Sequence, residues 1–445
     1  MGATVSNAID LLQALIVNRC VNDGTPDSGH EYRSVGTLSE FFGESGQVFE
    51  PHPGRQSVLY RIPGSDPSAE RLMLMGHLDV VPVSATGWTH DPFGGEIDDG
   101  FVWGRGAVDM LNVTAAMAMV FRQRMSGPQP QGDLLFLAVA DEENGGAYGA
   151  EYLVDHHWET VRSEYMLTEI AYPAVSGVAG PIPAINVGEK GPFWHQLRSA
   201  GTPGHGSQPY GADNALIPLA RAVTSVAGSP TPVIITDDWR SFVETLGLPD
   251  AQKIGLVDPD LLDETIDAIA VTDPFFARYV HACTHLTLTP TVLNAGGKAN
   301  VIPDEAVASI DARLLPGQDE DTVREHLAKI LGGDAESITV ELVRTSAANS
   351  SRPAGRLWEA LLDAYEVNLG DRRVAPTLTP ASTDARFWRR RGAVAYGAGL
   401  FCDRVSFPEF LTMFHGHDER ISLESMDLTV KFLGEAVAAF ERRSP

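Results

Sequence analysis

Several residues stand out because their types and places suit metal chemistry. The run "MLMGHLDVVPV" (73–83) is almost wholly apolar yet carries His77 and Asp79 at its centre. Burying two ionisable groups unpaired would cost several kcal/mol, so something must offset it. A lone pair of this kind is most simply a histidine satisfied by Asp79 or a backbone carbonyl. The same chemistry recurs, however. "LLFLAVADEE" (134–143) ends on Glu142 and Glu143, "YMLTEI" (165–170) carries Glu169, and "DDGFVWGRGAVDMLN" (98–112) brings Asp109 in through three glycines. Asp109 alone would read as a helix cap, and His415 or His417 of "FHGHDERI" (414–421) alone as a surface residue. Taken together, imidazoles and carboxylates are the ligands that Zn²⁺ favours. Two histidines and three acids, one of them bridging, suffice for two adjacent metals. Asp79 follows His77 by two residues, so on a strand both face one side. Its carboxylate is then placed to accept the outer imidazole N–H and fix the tautomer.

The elements that must hold these residues can be read from the same runs. Short apolar stretches without alternation suit strands covered on both faces. Helical patterns at 113–124 and 147–156 lie between them, and another opens the chain at about 6–18. This predicts an α/β fold with a mixed, mostly parallel sheet. Ligands of such sheets bind beyond the carboxyl ends of the strands, where these acids fall. From "GEKGPFWHQLRS" (188–199) the pattern changes to strand, helix, two strands, helix and strand, the order of a ferredoxin-like layer. The predicted division is catalytic residues 1–192, an inserted α+β unit at 193–347 with helical fragments at about 230–284, and a return to the catalytic domain at 348–445.

Composition narrows the partners. The 445 residues carry a formal net charge of −26, which argues against nucleic acid and anionic membrane. Cys20, Cys283 and Cys402 are too few and too scattered for a disulfide framework and read as reduced thiols. The opening residues lack the basic stretch of a signal peptide, and no apolar run approaches the ~20 residues of a membrane span. The expectation is a soluble, cytoplasmic protein.

The motifs "GHLDVVP", "WGRGAVDM", "DEENGGAYGA", "GTPGHGSQP", "NVIP", "STDAR" and "HGHDERI" resemble, in this order, the signatures of the M20 metallopeptidases. That family includes aminoacylase-1, the carboxypeptidase S and G types, succinyl-diaminopimelate desuccinylase and carnosinase-like dipeptidases. The resemblance implies a zinc-peptidase-like catalytic domain with an inserted lid and dimerisation domain. It also implies two Zn²⁺, with Co²⁺ or Mn²⁺ as substitutes. One would be held by His77, Asp109 and Glu169, the other by Asp109, Glu143 and His415. Glu142 matches the general base, and the Asp109–Met110 peptide bond matches one that is often cis in relatives. His205 of "GTPGHGSQP" matches a histidine that polarises the scissile carbonyl, often from the partner subunit of a homodimer. Taken alone, it would be a solvated loop residue. Asn300 and Arg313 match positions that bind substrate polar groups, commonly a carboxylate, and Arg386 of "STDAR" is a second candidate. For either arginine the rival is an ion pair with a nearby acid such as Asp311 or Asp384. Met110 replaces a frequent Lys and Ser382 a frequent Gly, and neither change removes a ligand.

The implied reaction is hydrolysis of the amide bond of an N-acyl amino acid or small peptide with a free carboxylate, by metal-bridged hydroxide with Glu142 as base and His77's neighbour Asp79 in support. Dipeptidase or carboxypeptidase action within the same family is the alternative. A non-catalytic binding relative would not need every ligand and Glu142, and a phosphoesterase would need more Arg or Lys beside the ligands than the sequence shows.

Overall fold

The computed structural model describes residues 5–443. Its main sheet runs in the order Gln47–His52, Arg55–Ile62, Leu134–Val139, Leu72–His77, Tyr165–Thr168, Val394–Ala398, Ala184–Glu189 and Asn349–Ser350, with Ala375–Thr379 also paired to Ala184–Glu189. The pairings from Leu134–Val139 through Val394–Ala398 are parallel. Those at the Arg55–Ile62 flank, and between Val394–Ala398 and Ala184–Glu189, are antiparallel. The sheet is therefore mixed, parallel through its middle and again between Ala184–Glu189 and Ala375–Thr379. Both faces are covered. Leu111–Met125, Arg356–Leu369 and Leu423–Arg442 contribute to a large apolar core on one side. A smaller core around Met73, Leu135, Leu153 and Trp388 fills the other. That double cover is why the central strands read as unbroken apolar runs. Helix and strand meet closely at Gly76, where a Cβ would lie 2.2 Å from Thr114 Oγ1.

Because Leu134–Val139, Leu72–His77 and Tyr165–Thr168 are neighbours and parallel, their carboxyl ends open on one edge. This single fact of topology gathers His77, Glu142, Glu143 and Glu169.

A second sheet of four antiparallel strands runs in the order Thr287–Ala295, Glu305–Leu314, Gly191–Ala200 and Thr339–Thr345. Along the chain these are its second, third, first and fourth strands, the order expected of βαββαβ. Helices Leu216–Gly228 and Glu320–Leu331 pack on one face through Leu219, Val226, Val323 and Leu327. The second helix starts at a capping box in which Asp319 and Thr322 satisfy each other's backbone N–H groups. The opposite face carries Trp194, Arg313 and Arg344 toward the main sheet.

The 230–284 segment forms helices Asp237–Thr245, Asp250–Val257, Leu262–Ala270 and Pro274–Thr284. Sequence order suggests that they belong to the small unit. Instead Trp239, Phe242, Tyr279 and Cys283 share the core of the main sheet. The Tyr279 hydroxyl donates to the Leu378 carbonyl at 3.2 Å. At the crossing between the two sheets, buried Lys190 donates from Nζ to the carbonyls of Ala282 (2.9 Å) and His285 (2.7 Å), with Thr287 Oγ1 at 3.2 Å. Burial lowers its pKa to about 7.

Candidate metal centre and active site

Two groups of ligand-bearing side chains stand side by side and share one residue. His77, Asp109 and Glu169 form one group; Asp109, Glu143 and His415 form the other, each with its ligand atoms within 4.8 Å of one another. His77 Nε2 lies 3.3 Å from Asp109 Oδ1 and 3.9 Å from Glu169 Oε2. His415 Nε2 lies 3.3 Å from Asp109 Oδ2 and 3.2 Å from Glu143 Oε2. The two carboxylate oxygens of Asp109 thus face different groups.

The local chemistry asks for cations. His77 Nδ1 donates to the Asp79 carbonyl at 2.9 Å, so in the neutral ring Nε2 presents a lone pair to two carboxylates. Such an arrangement repels unless a proton or a metal sits between. Glu143 Oε1 and both Asp384 carboxylate oxygens are buried without a hydrogen-bond partner among the described residues. Burial, and then nearby acids, push the pKa of Glu142 well above the usual carboxylate range and that of Glu143 up as well. Glu169 is raised by burial, against the pull of His77. Burial would lower His77, but Asp109 and Glu169 outweigh it and drive it up. Hydrogen bonds to Asp109 and Glu143 raise His415 to about 10, although its side chain is more than half exposed. Too many carboxylates share too little positive charge, and the residues present fit a pair of divalent cations.

The supports for these ligands come from three places. The Asp79 carboxylate does not take the imidazole N–H: its Oδ1 is 3.7 Å from His77 Nδ1, and the backbone carbonyl makes that bond instead. It accepts the backbone N–H groups of Glu142 (3.2 Å) and Glu143 (3.1 Å) and the Asn22 amide (2.8 Å). Asp79 therefore fixes the turn that presents the other two acids. Asp141 starts that turn at φ 67°, held by buried Arg55 at 2.9 Å and by Asn22 at 3.0 Å.

The second support, Glu419, was not marked by sequence reasoning. Fully buried, it accepts from Arg105 Nη1 (2.9 Å) and from the backbone N–H of Gly106 (2.9 Å), Val108 (2.8 Å) and Asp109 (3.0 Å). One carboxylate thus organises the whole glycine-rich approach to Asp109. Four residues earlier in the chain, His415 adopts φ 57° and its carbonyl accepts from Arg105 Nη2 at 3.3 Å. Nothing in "HGHDERI" marks Glu419 locally, because its partners lie more than 300 residues away in sequence. The third feature is the Asp109–Met110 bond, which is cis.

A cleft of about 330 Å³ opens over these groups. Asp109, Glu142, Glu143, Glu169 and His415 form its floor; Tyr172, Leu411 and Phe414 make one wall apolar; Trp194, Arg313 and Arg344 approach from the small sheet. Glu142 is nearly buried, with Arg386 Nη1 4.0 Å from its Oε1. Arg386 does not line the cleft. It is buried, and donates to the carbonyls of Thr383 (2.6 Å) and Gly145 (2.9 Å). Arg313 does line it, but holds Asp311 through Nε at 2.7 Å and Nη2 at 3.2 Å. His205 and Asn300 lie together on an exposed loop pair, joined by Gly206 N–H to the Asn300 carbonyl at 2.9 Å and apart from the cleft wall.

A family model, peptidase family M20/M25/M40, matches residues 73–439. The chain is 30% identical over 388 residues to a probable carboxypeptidase S-like 2 of Dictyostelium discoideum, covering 84% of this chain and 73% of that protein. It is 28% identical over 405 residues to aminoacylase-1 of Sus scrofa, covering 89% and 86%. Among solved structures, the M20 family metallo-carboxypeptidase Sso-CP2 from Sulfolobus solfataricus superposes with a TM-score of 0.70 at 18% identity, over 98% of each chain. With a family match spanning most of its length, including all five candidate ligands, this chain belongs to the M20 peptidases and is a hydrolase.

Proposed function

We propose that the protein is a two-metal amidohydrolase that removes the acyl group from an N-acyl amino acid carrying a free carboxylate. The observation that carries this reading is the inventory of the cleft. Its acids, Asp109, Glu142, Glu143 and Glu169, are all committed to metals or to base chemistry, so among the described lining residues no further acid remains to receive a substrate ammonium. A free carboxylate, by contrast, would meet the arginines of the small sheet. An acyl chain would find the apolar wall of Tyr172, Leu411 and Phe414.

Zinc, or cobalt or manganese in its place, suits this donor set and would supply Lewis-acid polarisation and a water of lowered pKa. Glu142 takes the proton of the attacking water and passes it to the leaving nitrogen. Burial and then the neighbouring acids raise the pKa of this carboxyl, which favours its holding the proton between the two transfers. Asp79 keeps Glu142 and Glu143 in register through their backbone N–H groups. His205 and Asn300 serve the carbonyl oxygen and substrate polar groups from a second copy of the chain. That role requires a homodimer, for which the exposed edge strand Thr287–Ala295 with Val292 and Leu293 offers a surface.

The test is hydrolysis of N-acyl amino acids and of unblocked dipeptides by metal-loaded protein, with Glu142→Gln as control. Acylated amino acids should be cleaved in preference. The variant should lose about 10²- to 10⁴-fold in kcat while keeping its metals. Preferential cleavage of dipeptides would place the protein with the dipeptidases instead. A parallel loss of metal and activity would show Glu142 to be a ligand.

A further inference from the structure

One residue of the cleft holds a backbone conformation that its own side chain disfavours. Ile170 adopts φ 65°, in the left-handed region. Among the described residues it is the only β-branched one to do so; the other non-glycine cases are Asp, His or Arg. Aspartate and histidine enter this region with some ease, whereas a branched Cβ crowds the adjoining carbonyl. Residues held in this way persist only where the surroundings over-determine them, and they cluster at binding and catalytic sites.

The surroundings here are specific. Ile170 directly follows the ligand Glu169, whose Oε1 accepts the Asp384 backbone N–H at 3.3 Å. On the neighbouring strand Val394–Ala398, Gly397 pairs with Thr168. A Cβ at Gly397 would fall 2.0 Å from the Glu169 carbonyl oxygen and 2.5 Å from that of Ile170. Gly399 makes similar room, since a Cβ there would lie 2.9 Å from the Cβ of Ala171. The backbone of 169–171 is thus pressed against glycines and cannot relax toward them. A glycine at 170 would meet this geometry without strain. The chain carries a branched side chain there instead, and it lines the cleft beside Glu169. That side chain is 7% exposed and joins the apolar cluster of Tyr172, Leu411 and Phe414.

We propose that Ile170 is a specificity-determining residue, which excludes acyl groups branched at the carbon next to the scissile carbonyl and so restricts the substrate to straight-chain N-acyl amino acids. This rests on the amidohydrolase reading above. Consecutive Cα atoms are about 3.8 Å apart, so a side chain one residue from a metal ligand meets the atoms nearest the reacting carbonyl. The far end of an acyl chain lies beyond it, along Tyr172, Leu411 and Phe414. A straight methylene passes the branched side chain, whereas a second carbon on the same position overpacks the site.

The experiment measures kcat/KM of metal-loaded protein for N-butyryl-leucine and N-isobutyryl-leucine, isomers that differ only in that branch. The parent should prefer the straight chain by about 10- to 100-fold. Ile170→Gly should bring the two isomers to within about threefold, by raising turnover of the branched one. Ile170→Val keeps the branch at Cβ and should retain most of the preference. A second readout concerns the backbone: Ile170→Gly should unfold at a higher urea midpoint than Ile170→Ala, the reverse of the usual order in helices and strands. A preference unchanged in Ile170→Gly would leave Ile170 as core packing and overturn the proposal. Loss of turnover of both isomers in that variant overturns it too, because Ile170 would then be a support of Glu169. So does an alanine variant more stable than the glycine one, since the position then has no need of glycine. A parent that cleaves both isomers equally removes this inference and leaves the amidohydrolase reading standing. A parent that cleaves neither, yet cleaves unblocked dipeptides, removes that reading and this inference together.

Discussion

Glu419→Gln is the substitution that most directly probes how the site is held. The amide keeps the size and shape of the carboxylate but turns one oxygen into a donor. In the parent, Oε2 accepts from Arg105 and Gly106, and Oε1 from Val108 and Asp109. Whichever way the amide turns, its NH₂ faces two donors, so two of four bonds fail. The buried Arg105 guanidinium also loses its counter-charge. Each bond to a charged group is worth about 1.5–3 kcal/mol, and breaking one side of a buried ion pair costs about 3–5 kcal/mol. These describe the same interactions and are not summed, so a loss of about 3–5 kcal/mol is expected. Denaturant titration against the parent reads it. Because the affected N–H groups belong to the Asp109 loop, both metals should bind more weakly, by about 10- to 100-fold, as when other outer supports of metal ligands are removed. Competition with a chelating dye measures that. A variant as stable as the parent, with unchanged affinity at both sites, would show that the loop holds its shape without Glu419.

Two further predictions concern protons. In metal-free protein His415 is held protonated up to about pH 10 by Asp109 and Glu143, and His77 is raised as well, so metal binding must expel protons. The stabilisation of metal-free protein by the His415 triad is fully present below pH ~6.5 and fades as pH rises through about 10, while apparent metal affinity climbs about tenfold per pH unit for each proton released. Calorimetry at pH 7.5 in two buffers of different ionisation enthalpy should give different heats, and identical heats would refute it. Lys190, lowered to about 7 by burial, binds fewer protons folded than unfolded between about pH 7 and 10. Its contribution to stability therefore rises with pH across that window, by up to about 1.4 kcal/mol per unit. Lys190→Met should remove that slope, so that denaturant curves of parent and variant diverge between pH 7 and 9; parallel curves would contradict it.

What could be read from the sequence was whatever depended on short stretches. His77, Glu142, Glu143 and Glu169 each end an apolar run, and a parallel sheet collects the ends of such runs at one edge. The βαββαβ order of the small sheet was legible because its strands alternate and its helices are amphipathic. What escaped depended on pairing across long separations. Glu419 has no local signature, because its donors are backbone N–H groups of residues 106–109 and the side chain of Arg105. Arg344 reads as a solvated residue on an edge strand until the register sets it beside Trp194 and Gly145. Arg386 suits a substrate clamp by residue type and by its place in "STDAR", whereas the short helix Ala385–Arg389 buries it behind Glu142. The helices of 237–284 sit within the small unit by sequence order, yet their aromatic residues complete the main core.

The central claim is that Asp109 joins two metal sites in one chain. Metal-free protein and its variants should be titrated with Zn²⁺ and analysed for bound metal after desalting. Two zinc ions per chain are expected in the parent, one each in His77→Ala and His415→Ala, and none held tightly in Asp109→Ala. A parent that retains a single ion, or an Asp109→Ala variant that keeps both, would contradict it.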